Sequence, residues 1–90
     1  MDKGNRERIK ETLFDAVRNQ IENGKPAETK KTYHRLILTG HSREKALRLI
    51  ASVLLEEMNT AMQAKSPFNE ARYVKALRSL PRKDLPFHPI

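Results

Sequence analysis

The chain contains no cysteine and no tryptophan. Without cysteine there are no disulfides, thiolate metal sites or cysteine nucleophiles. Apolar residues make up only 38% of the 90 residues, and no run of them approaches the ~18–20 needed to span a bilayer. The opening MDKGNRERIKET is dense in charge and lacks the apolar centre of a secretory signal. Three glycines and five prolines are few enough to leave long uninterrupted segments. These shortages predict a cytoplasmic protein without a membrane partner, built as one small domain over residues 1–80.

What the chain does have is helical spacing. From Ser42 to Ala64 the residues Ala46, Leu47, Ile50, Val53, Leu54, Met58 and Ala61 recur every three or four positions, the pattern of one buried helix face. Ala51, Leu55 and Met62 widen that arc to roughly half the cylinder, more than a single neighbouring helix would cover. Ser42 is a good N-cap, and neither Gly nor Pro interrupts the run. This third helix is the expected centre of the fold.

The other helices are bounded by equally local signals. A first helix capped by Asp2 or Asn5 carries Ile9, Leu13, Ala16, Val17 and Ile21 as its stripe and ends at Gly24. A second, from Pro26 in its first turn to about Thr39, points Tyr33, Leu36 and Ile37 inward and ends at Gly40. Ser66-Pro67 closes the third helix. Asn69 caps a fourth over about Glu70–Leu80, with Phe68 and Tyr73 placed for a hydrophobic staple. The tail 81–90, with three prolines, reads as extended. The prediction is an all-α bundle of four helices with a long central third helix.

Charge is uneven. Residues 1–24 are net neutral, 25–48 carry net +5, 49–64 net −2 and 65–90 net +4, giving +7 in all. On the second helix Lys30, Lys31, His34 and Arg35 share one side. With Arg43 they form the candidate nucleic-acid surface, supported by Arg48, Arg72, Lys75 and Arg78, because Lys and Arg neutralise phosphates. The bland alternative is a solvated face that keeps a small protein apart from its neighbours. The stretch Leu36–Ser42 has the turn glycine of a helix-turn-helix, but the helix after it is too long and apolar to enter a groove. It reads as a plain helical corner. A ubiquitin-associated domain has a similar Ser-capped corner, but His41 stands here at its loop position and the next helix is about twice as long.

Nothing in the chain predicts catalysis, a metal or a cofactor. His34, His41 and His88 show no ligand spacing. Glu56 and Glu57 are adjacent and therefore diverge by ~100°. Glu57 falls on the apolar face, where a partner is required, with Tyr33, Tyr73 or Arg43 as candidates. The wide arc of the third helix leaves a candidate surface for a protein partner or a second copy at Leu38, Leu49, Leu55 and Met62. The leading expectation is thus a non-enzymatic interaction module, with a homodimer through that surface and a monomer whose other helices cover it standing as equal alternatives. An accessory nucleic-acid-binding protein is the second reading.

The succession Pro26, Tyr33, Leu36, Gly40, Arg43-Glu44, Ala46, Ile50, Val53-Leu54, Glu56, Phe68, Tyr73 and Leu77 resembles the domain of unknown function 1841 family of small bacterial helical proteins. The resemblance spans roughly residues 20–80. It implies a bacterial, cytoplasmic, all-helical protein with no assigned activity. Histidines expected in that family's helices are mostly replaced here, so the resemblance implies no metal site.

Overall fold

Ser42 Oγ accepts from the Lys45 backbone N–H at 3.1 Å, and Asn69 Oδ1 accepts from that of Arg72 at 2.9 Å. Each polar cap satisfies an amide that the first helical turn leaves without a partner. The computed structural model describes residues 3–81, with side chains from residue 7 onward. Among them are four helices and no strand: α1 Lys3–Asn23, α2 Ala27–Leu38, α3 Arg43–Ala64 and α4 Glu70–Arg78. Pro26 sits one place earlier than expected, as the extended residue before α2. The segment expected to form a tail lies, beyond Pro81, outside the described residues.

The first three helices are each followed by a left-handed residue, whereas α4 ends on Ser79 at φ −84°. Gly24 has φ +68° and Gly40 φ +103°. After Gly40, the His41 N–H reaches back to Leu36 O at 3.0 Å, closing the turn. α3 ends at Ala64, as expected, but the residue that reverses the chain is Lys65, at φ +53°, one place ahead of Ser66-Pro67. Ser66 N–H then bonds Ala61 O at 2.9 Å.

α3 is the longest helix, at 22 residues, and packs against the other three. Six consecutive residues, Leu49 to Leu54, are all buried, so its middle is enclosed on every side. α1 adds Leu13, Phe14 and Val17 to the core, α2 adds Leu36, and the C-terminal part adds Tyr73, Leu77 and Leu80. Ile9, expected in the α1 stripe, is 40% exposed. α2 also packs against all three neighbours.

Two buried threonines on α2, Thr29 and Thr32, were not legible as core positions. Thr29 Oγ1 donates to Gln20 Oε1 at 2.9 Å, and the Tyr73 hydroxyl donates to the same oxygen at 2.8 Å. One amide oxygen of α1 thereby ties α2 and α4. Burial pushes the Tyr73 hydroxyl up to about 12, against the smaller opposing effect of its hydrogen bonds.

Candidate functional site

The packing leaves one apolar row on the outside of α3. Leu55 is half-buried against the core, Met58 is 43% exposed and Met62 is 73% exposed. Their i, i+3, i+7 spacing sets them along one side over ~10 Å of axis. Residues 49–64 contain no Lys or Arg, so in a chain of net charge +7 this length of α3 is free of basic side chains.

The four candidate partner residues do not form one surface. Leu49 lies inside the core, its wheel position ~120–140° away from those of Leu55 and Met62. Leu38 is 86% exposed but precedes the start of α3, and the helix axis from Arg43 to Met62 is ~28 Å long. Of the four, the exposed Leu38 and Met62 therefore lie at separate ends, and only Met62 has an exposed apolar neighbour along its own helix.

The basic candidates are also divided by the fold. Lys30, Lys31 and His34 are exposed on α2. Arg35 is turned toward α4, where its guanidinium donates to Leu77 O at 3.0 Å and to Leu80 O. There it joins the Leu80 N–H and Thr32 Oγ1 as a donor to Leu77 O, satisfies Leu80 O and meets the negative end of the helix dipole. Arg43, the first residue of α3, is exposed beside Tyr33 of α2 in a shallow depression shared with Ile21 and Leu47. Arg48 bonds Glu44 at 2.7 Å, the i, i+4 pair expected from the sequence.

α4 brings its own basic residues to α2. Arg78 Nε donates to Glu28 at 3.2 Å, and Lys75 is exposed on the outer side. Arg72 points the other way and is engaged by Glu57 of α3.

That carboxylate is only 3% exposed. Its Oε1 accepts from Arg72 Nε at 2.5 Å, and its Oε2 accepts from Arg72 Nη2 at 2.8 Å and from the Asn69 backbone N–H at 2.9 Å. Hydrogen bonding from Arg72 holds Glu57 below its usual range, against the upward push of burial, and the Asn69 amide adds to the lowering. The partner is thus none of Tyr33, Tyr73 and Arg43. The physical reason is that the first turn of α4 packs at Glu57, while the Tyr73 hydroxyl is already given to Gln20.

Of the histidines, His34 is exposed beside Tyr33, with ring centroids 5.9 Å apart. His41 Nδ1 lies 3.0 Å from Leu36 O, a contact that places the proton on Nδ1. His88 lies outside the described residues. Among the described residues no three His, Asp or Glu side chains gather as metal ligands, and no helix is long and apolar enough to cross a membrane. In comparisons with known proteins, no family model matches the chain, and no curated protein or solved structure shows significant similarity to it.

Proposed function

We propose that this protein is a non-enzymatic helical interaction module that pairs with a second copy of itself through the outer row of α3. The observation carrying this reading is the coincidence of Leu55, Met58 and Met62 with the length of α3 that lacks Lys and Arg. Methionine adapts its shape to a partner surface. Two copies of net charge +7 repel one another over most orientations, and the repulsion is least where basic side chains are missing. The row is the centre of the contact, and the exposed neutral Asn59 and Gln63 supply its rim.

Bacterial kinship and a cytoplasmic setting belong to the same proposal. Light scattering across an eluting peak tests the reading. Twice the chain mass of 10.4 kDa is expected at high micromolar concentration, and a monomer there would remove the homodimer.

A further inference from the structure

We propose that the seam between α2 and α4 binds the phosphate backbone of double-helical DNA. The two helices are more than thirty positions apart in sequence and pack side by side. Each carries three basic residues against one acidic. Together they hold more than half of the net +7, whereas α3 is balanced and α1 nearly so. Arg72 is turned to Glu57 of α3 and Arg35 to the end of α4, so the basic groups left outward beside the seam are Lys31, Lys75 and Arg78.

The geometry also directs that charge outward. In the Glu28–Arg78 pair the carboxylate side chain is only 16% exposed and the guanidinium side chain 69% exposed, so the positive partner faces solvent. Arg35 covers the carbonyls at the end of α4, removing a negative pole that would repel phosphate. Lys30, Lys31 and Lys75 are exposed along the helices. α2 has 12 residues and is ~18 Å long, matching about ten charges of a duplex that bears one per ~1.7 Å.

Duplex is favoured over single strand because the seam has no aromatic platform. Tyr73 is buried, and Tyr33 is half-buried beside His34 in the depression shared with Arg43 and Leu47, ~160° around α2 from Lys31. Sequence-tolerant single-strand binding relies on stacking bases against such rings. A charged face without them reads backbone charge, and charge is densest on a duplex.

Fluorescence anisotropy with a labelled duplex of about 20 base pairs, read from about 50 to 200 mM salt, tests this. Contacts by Lys31, Lys75 and Arg78 predict a slope of log affinity against log salt of roughly −2.7. Lys31→Gln with Lys75→Gln should make the slope shallower by roughly 1.8 and weaken binding about tenfold at 100 mM salt. Lys75→Gln alone should change the slope by roughly 0.9. Arg8→Gln with Lys45→Gln removes the same charge from exposed positions on α1 and α3 and should keep the wild-type slope. Circular dichroism confirms that each variant retains its helices. Equal losses in the two double variants would overturn the proposal. So would tighter binding to the single strand, or to vesicles of anionic lipid, than to the duplex.

Discussion

Glu57 of α3 completes the N-terminal cap of α4 in place of a glutamate from α4 itself. In a self-contained capping box the third helical residue reaches back to the amide of the cap residue. Here that third residue is Arg72, which cannot accept a hydrogen bond. Its backbone N–H donates to Asn69 Oδ1, and its guanidinium holds Glu57, which accepts from the Asn69 N–H. The cap is therefore also the clasp between α3 and α4.

Substituting Glu57→Gln should lower the midpoint of thermal unfolding at pH 7 by several degrees, since a charge-assisted contact is lost and donor faces donor. The native carboxyl lies below its ordinary value of 4.5. Its stabilising contribution is thus fully present above that value and is lost as pH falls through the lower native one. Unfolding measured across acid pH should show the wild type and Glu57→Gln converging as the carboxyl protonates. A gap that persists undiminished to the lowest pH would contradict the ion-pair account.

Tyr73→Phe removes one hydroxyl from Gln20 while Thr29 still donates to the same oxygen. The expected cost is about 1 kcal/mol, read by denaturant unfolding. The Tyr73 hydroxyl is raised to about 12 in the fold, against an unfolded value near 10. Its contribution is therefore present below about pH 10 and declines as pH rises toward 12. In Tyr73→Phe that part of the alkaline loss should vanish, and the 295 nm titration should lose the step near 12.

Lys65 occupies a left-handed position that glycine adopts without steric cost. Lys65→Gly should stabilise the chain by about 0.5–1 kcal/mol, because the relief at φ +53° outweighs the added freedom of the unfolded chain. Unfolding in urea is the check, and destabilisation would show that the Lys65 side chain makes a contribution beyond its backbone angle.

The helices, the polar caps of α3 and α4 and most of the core were legible in the sequence because each depends on neighbours within a few positions; Asn5, a cap expected for the first helix, lies inside α1. Ser42, Asn69, Gly24 and Gly40 do what their residue types do locally. The staple is present too, with the Phe68 and Tyr73 rings edge to face at 5.5 Å. What was not legible depends on partners far along the chain. Arg35 looked like part of a free basic face, yet its acceptors are Leu77 and Leu80. Leu49 looked like spare apolar surface on the far side of a wide arc, and it is buried because α3 is enclosed at mid-length. Periodicity finds one buried face, but it does not show that a second face is covered as well. For Glu57 the apolar wheel position did signal a buried carboxylate with a partner, while the partner's identity required knowing where α4 packs.

The most direct test of the central claim compares three chains by light scattering at matched concentrations. Met62→Lys places a cation in the outer row of α3, whereas Leu38→Lys makes the same chemical change at an exposed site away from it. The account predicts that the wild type and Leu38→Lys elute at twice the 10.4 kDa chain mass. Met62→Lys, weakened at least about tenfold, should elute as a monomer with unchanged helical content. A wild type that stays monomeric, or a dimer that Met62→Lys leaves intact, would contradict it.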